Sequence, residues 1–289
     1  MNKALIVALT TYKESVRLPL FYVLACFFGA VIFFSKDFTL FGFNKELTII
    51  KEVALATIMI AGILQSVLLA GTTITSDVER KTYMMILSKP ISRTQFLIGK
   101  FLGILLSVFS SASFLFMVMV LTLWYAQGYP ELKEMSQRGF PMSFTPEQIS
   151  SAYWDHLASF AVTGMLHQAG YFLLALMQIG LMCALTVMLS SFFPLALNAG
   201  ICFFVFVLGN MSYNIYDVCV KSGSSVVSFL GTAVYMLLPN LSYMNPSAGA
   251  SYGLLPSVAD ISIAFSYCLV YTLMILVAGS AVFNRTEMR

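Results

Sequence analysis

The chain has 289 residues, 59% of them hydrophobic and only 10% charged, with a formal net charge of +3. Soluble chains carry roughly a quarter charged residues to cover their surface, so water is not the main solvent of this protein. The apolar residues also fall in long uncharged blocks rather than short periodic stripes, which excludes one large globular core and leaves a bilayer.

In chain order, Leu5, Ala8, Leu9, Tyr12 and Val16 recur at helical spacing, with Lys3, Thr10, Lys13, Glu14 and Arg17 mostly on the other side. This pattern predicts an amphipathic helix lying on the cytoplasmic surface and turning into the membrane near Pro19. Crossing the hydrocarbon core takes about 18 to 25 apolar residues. Six windows qualify: Leu18 to Ser35, Val53 to Thr75, Phe101 to Tyr125, Ala169 to Phe193, Leu195 to Tyr213 and Ile261 to Phe283. A further run, Val226 to Leu241, is shorter, contains Gly231 and ends in Pro239 and Asn240, so it reads as a re-entrant or interfacial helix.

Between the second and third windows, residues 76–100 hold the densest charge in the chain. Asp77 to Leu87 has the pattern of a short helix closed by Ser88, Lys89 and Pro90. Ser92 and Gln95 then form a capping box before the next apolar run. The outer segment 126–168 opens as a loop, with Pro130, Gly139 and Pro141. Thr145, Pro146 and Gln148 start a helix toward the fourth window. Only Ser190 to Pro194 separates the fourth and fifth windows, so these helices form a tight hairpin. A second outer segment, 214–260, contains the re-entrant run.

Lys and Arg concentrate at Lys3, Lys13, Arg17, Arg80, Lys81, Lys89, Arg93, Lys100, Arg285 and Arg289, which places both termini in the cytoplasm. Lys13, Glu14 and Arg17 interrupt the N-terminus, so no cleavable signal is expected. Four of the five cysteines, Cys26, Cys183, Cys202 and Cys268, lie inside windows, with only Cys219 in a loop, a pattern without a disulfide framework or metal-ligand spacing.

The windows contain no Asp, Glu, Lys, Arg or His, the residues from which proton relays and ion-coupled carriers are built. Gln65, Gln178 and Asn198 are expected to bond between helices. Gly99 and Lys100 lack the upstream glycines of a phosphate loop, and His156 and His167 lack the partners of a zinc site. The chain is therefore expected to bind neither ATP through a phosphate loop nor a metal, and to have no catalytic residues of its own.

The string D-V-E-R-K-T-Y-M-M-I-L-S-K-P-I-S-R-T-Q-F-L-I-G-K-F-L-G, from Asp77 to Gly103, resembles the signature of ABC type-2 exporter permeases. It is most similar to the subgroup of the nitrous-oxide-reductase maturation and gliding-motility transporters. Thr11, Lys13, Glu14, Ser15, Arg17 and Tyr22 resemble the family's N-terminal pattern. Leu238 to Leu241 resemble its L-P-N-L, and Phe283 to Glu287 its C-terminal ending, with Thr286 where a second Arg is common.

The resemblance implies a single all-α permease domain over 1–289. Its parts are an N-terminal elbow helix (1–17, with Lys13, Glu14 and Arg17), six spans, a coupling helix in the loop 76–95, and a re-entrant segment with Pro239 and Asn240. It implies a separate ABC ATPase that binds ATP and Mg, a second permease copy forming a dimer, and residence in a bacterial inner membrane among lipids. Asp77, Glu79, Arg80, Lys81, Thr82, Leu87, Ser88, Lys89, Pro90, Ser92 and Arg93 would contact the ATPase. A second reading makes the chain an assembly subunit whose outer segment 126–168 docks a periplasmic protein that the ATPase remodels. Neither reading involves nucleic acid.

Overall fold

The structure is a computed structural model that describes residues 3–36, 46–75, 93–138, 146–221, 225–245 and 256–285. Among these the protein is all-helical. The α-helices are α1 (Lys3–Arg17), α2 (Pro19–Phe34), α3 (Glu46–Ala70), α4 (Arg93–Arg138), α5 (Pro146–Ser190), α6 (Leu195–Lys221), α7 (Ser225–Leu237) and α8 (Val258–Arg285). A π turn, Gly71–Thr75, ends α3, and a 3₁₀ turn, Leu241–Met244, follows α7.

Among the described residues five stretches are long and apolar enough to cross a membrane: Ile49–Ile74, Thr94–Ala126, Gln168–Ser190, Leu195–Lys221 and Val258–Ala281. The sixth expected span is shorter. α2 has 16 residues, and it reaches spanning length only together with α1, from which it bends by 64°. The bend falls at Leu18, where Pro19 opens α2 without an N–H to continue the helix.

α3 and α5 form the centre, with 72% and 67% of their spanning windows buried, against 6% for α8. At Gly62 α3 makes room for α5, since a Cβ there would stand 2.7 Å from Ile179 Cδ1. Small residues permit such approaches where lipid tails offer no hydrophobic drive to association. α2 buries Phe21, Ala25, Gly29 and Ile32 along one stripe and turns Tyr22, Val23, Phe27 and Phe34 outward. α8 does the same with Ile263, Val270 and Met274. Helices apolar on every face suit a lipid solvent, not water.

The boundaries differ from the sequence reading in three places. α4 passes through Pro130 and continues to Arg138, where a loop was expected from residue 126. α6 runs two turns past Tyr213 to Lys221, which places Cys219 in a helix rather than a loop. The exposed ion pair of Lys221 Nζ with Asp217 Oδ2, 2.6 Å apart and one turn away, accompanies that extension. On α1, Ala8, Thr11 and Ser15 face the protein, whereas the expected apolar positions Leu5 and Leu9 are exposed beside Ile6. Small and short polar side chains let α1 lie close to α4, and the larger apolar ones are left for the membrane.

The hairpin between α5 and α6 is as expected. Ser191, Phe192 and Phe193 donate backbone hydrogen bonds to Met188 and Leu189, and Asn198 N–H donates to Pro194 O at 3.0 Å. Ser190 Oγ reaches back to donate to Ala70 O at 2.9 Å, where the π turn begins. Widening from i−4 to i−5 hydrogen bonds leaves a carbonyl without its usual partner, and here a hydroxyl from the hairpin supplies one.

Candidate functional site

Two places combine polar chemistry with tight backbone contact. The first is the junction of α1 with the start of α4. A Cβ on Gly99 would meet Val7 Cβ at 2.7 Å and Ala4 O at 2.9 Å, and one on Gly103 would meet Ala8 O and Thr11 Cβ at 2.6 Å. The two glycines, four apart, are one face of α4, and the backbone of α1 lies directly on it. Between them Lys100 is 5% exposed, with its Nζ 3.9 Å from Glu14 Oε2 and 5.7 Å from the centre of the Phe96 ring. A buried ammonium needs a counter-charge or π face to offset the loss of water, and α1 supplies the carboxylate.

The second is the turn from α7 into the 3₁₀ segment, the tip of the run expected to be re-entrant. A Cβ on Gly209 would stand 2.9 Å from both Leu241 Cγ and Pro239 O. Gly209 lies within α6, about 18 Å from its Lys221 end at 1.5 Å per residue. Irregular backbone buried among apolar helices needs a protein partner for each polar group. Asn240 N–H donates to Tyr267 Oη of α8 at 2.8 Å, and Ser242 N–H to Asn240 Oδ1 at 3.1 Å. Ser242 Oγ donates to Asn210 O of α6 at 3.0 Å, and Asn240 Nδ2 to Tyr235 Oη at 3.3 Å.

That network continues into α5, where Gln178 Nε2 donates to Asn210 Oδ1 at 3.2 Å. Asn198 Nδ2 likewise bonds across helices, to Thr186 O at 3.3 Å. Both glutamine and asparagine thus act between helices, as expected. Gln65 Nε2 and Gln178 Oε1 are buried without a hydrogen-bond partner among the described residues.

Of the residues singled out in the sequence, Lys13, Glu14 and Arg17 are exposed on α1, and Pro239 and Asn240 are buried at the tip. Asp77, Glu79, Arg80, Lys81, Thr82, Leu87, Ser88, Lys89, Pro90 and Ser92 lie outside the described residues, and Arg93 is described only as the first residue of α4. The sequence reading did not assign roles to Gly99, Gly103, Lys100, Asn210, Ser242 or Tyr267. The Gly-x-x-x-Gly spacing of Gly99 and Gly103 was a usable signal for the first three. Nothing in the sequence pairs Tyr267 with Asn240.

A bundle of apolar helices, five of them of spanning length and a bent pair at the N-terminus making a sixth span if it crosses as one, defines a multi-pass membrane protein. The model of the family described as ABC-2 family transporter protein matches residues 6–288, and the chain belongs to that family. It is a transmembrane permease of the ABC transporter class. No individual curated protein matches the chain.

Proposed function

We propose that this chain is the membrane half of an ATP-driven exporter in which a separate ABC ATPase hydrolyses ATP with Mg and two permease copies form the path. It is placed with the subgroup similar to the nitrous-oxide-reductase maturation and gliding-motility permeases, in a bacterial inner membrane with both termini cytoplasmic. The family match over 6–288 carries the reading. The signature string supports the subgroup.

Coupling is assigned to the loop 76–95. The loop is flanked by two unlike stems: the π turn Gly71–Thr75 ends α3 on one side, and the Lys100 to Glu14 pair stitches α4 to α1 on the other. π turns mark places where a helix yields, so a push on the loop would bend the α3 stem and move α4 together with α1. Co-expression with a candidate ABC ATPase from the same source tests the reading. The pair should co-purify and hydrolyse ATP, while the isolated chain should show no turnover; robust hydrolysis by the chain alone would refute this division of labour.

One observation favours the assembly-subunit reading for the outer side. α4 and α5 continue as helices over 127–138 and 146–167, beyond their spans, and helices offer a docking surface that an irregular loop does not. Deleting 127–167 should then abolish binding of a periplasmic protein while leaving ATPase assembly intact.

A further inference from the structure

α3 and α5 run parallel. Gly62 of α3 lies against Ile179 of α5, and further along both helices Ala70 O accepts from Ser190 Oγ at 2.9 Å. Counted from the first contact, Gln65 stands three residues toward the loop that follows α3, and Gln178 one residue away from it. At 1.5 Å per residue the two glutamines are therefore offset by about 6 Å along the helices, close to one turn.

Both are almost fully buried, at 2% and 0% exposure, and each has one amide atom without a hydrogen-bond partner among the described residues. The two atoms are opposite in kind. Asn210 Nδ2 donates to Phe206 O at 2.9 Å, so its Oδ1 is the acceptor that faces Gln178 Nε2. That fixes the Gln178 amide with Oε1 as an acceptor lacking a donor, whereas on Gln65 the unpartnered atom is the donor Nε2. Bare amide atoms inside an apolar bundle are costly, and each of these lacks what the other offers.

α3 is notched at the same interval. Gly62, Ser66 and Ala70 follow one another at four-residue spacing on one side of the helix, and Ser66 and Ala70 are fully buried. Moving α3 by one turn away from the loop sets Ser66 against Ile179 in place of Gly62 and brings Gln65 level with Gln178. Serine fits the notch less well, because a Cβ there stands 2.7 Å from Ile179 Cδ1 and the isoleucine must turn aside. The Ser190 bond to Ala70 O is lost as well. These costs favour the observed register, and pairing of the amides offsets them in the displaced one. Close-packed helices shift between discrete registers, one turn being the natural step. The π turn Gly71–Thr75 gives the loop end of α3 a joint that yields.

We propose that α3 has a second register, displaced by one turn along α5 away from the loop 76–95, in which Gln65 Nε2 donates to Gln178 Oε1. A push on the loop would drive that displacement. This use of it rests on the coupling reading above, whereas the second register itself does not.

The test uses the full chain without its five native cysteines, spin-labelled at the positions of Val53 and Phe193, which are exposed toward opposite ends of the α3–α5 pair. Pulsed dipolar spectroscopy should give one main distance, kept in every variant as a mark of the fold. Ser66→Gly restores the notch in the second register and should raise a population longer by about 6 Å at least threefold. Adding Gln65→Leu should remove that gain. With a candidate ABC ATPase from the same source and a non-hydrolysable ATP analogue, the longer population should also grow in the chain with Ser66 intact. A single unchanged distance in Ser66→Gly overturns the second register, and a longer population that survives Gln65→Leu overturns the amide pairing. Growth in Ser66→Gly without any response to the ATPase upholds the register and counts instead against the coupling reading.

Discussion

Lys100 and Glu14, 86 positions apart in sequence, face each other at 3.9 Å across the α1–α4 junction, with the lysine side chain 6% exposed and the glutamate 58%. The asymmetry decides the energetics. A pair exposed on both sides contributes about 0 to 1 kcal/mol, whereas removing one partner of a fully buried pair costs about 3 to 5 kcal/mol. Water at Glu14 screens this pair, so Glu14→Gln should cost about 1 kcal/mol, near the surface limit. Lys100→Ala removes buried stem as well as charge and should cost more. The double swap Glu14→Lys with Lys100→Glu should recover part of the loss. Thermal unfolding of the four proteins in one detergent checks the order, and a swap worse than both single variants would deny the pairing.

Gly103 gives a sharper test of the same junction. An added Cβ would meet Ala8 O, a backbone atom without a rotamer to yield. Gly103→Val should therefore push α1 off α4, with an overpacking cost of about 1 to 3 kcal/mol. A zero-length carbodiimide crosslink between the Glu14 carboxylate and the Lys100 ammonium, 3.9 Å apart, should form in the parent and should drop several-fold in the Val variant. Unchanged crosslinking would mean that α1 is held elsewhere.

At the re-entrant tip, Tyr267→Phe keeps the ring and removes only the oxygen that accepts from Asn240 N–H. A buried donor without a partner costs about 1 to 3 kcal/mol. Hydrogen exchange at Asn240 should rise by at least tenfold. Tyr22→Phe, on the outward face of α2, should leave it unchanged. A similar rise in both variants would show that the effect is not local to the tip.

Topology can be checked independently. With both termini cytoplasmic and the bent α1–α2 pair crossing once, cysteines at positions 2 and 288 should be protected from an impermeant thiol reagent in intact cells. One at position 220 should react. Labelling of position 288 from outside would reverse or change the number of crossings.

The apolar spans, the bend at Pro19, the α5–α6 hairpin and the short helix before Pro239 were legible because each is set by local composition. Apolar length marks a crossing, and a proline marks a turn. The helical course of 127–138 was not, since Pro130 and the nearby polar residues look like a loop when read residue by residue. The buried face of α1 was missed for another reason. Amphipathic periodicity sorts polar from apolar, but the membrane solvates apolar residues, so Leu5 and Leu9 turn outward and Thr11 and Ser15 turn in. The tip network joins Asn240 to Tyr267, 27 positions away, and Ser242 to Asn210, 32 positions away, contacts that no local pattern encodes.

The central claim is that the charged loop between α3 and α4 receives the push of a separate ATPase. Single cysteines placed along 76–93 in a cysteine-free chain, co-expressed with the ATPase and crosslinked with a short bifunctional reagent, test it most directly, with ATP-dependent transport measured on the same variants. The account predicts crosslinks to the ATPase clustered over Asp77 to Arg93, together with uncoupled hydrolysis when Glu79 or Arg80 is reversed. No crosslink anywhere along the segment, with normal transport by a multiply substituted loop, would contradict it and leave the loop as a topological anchor.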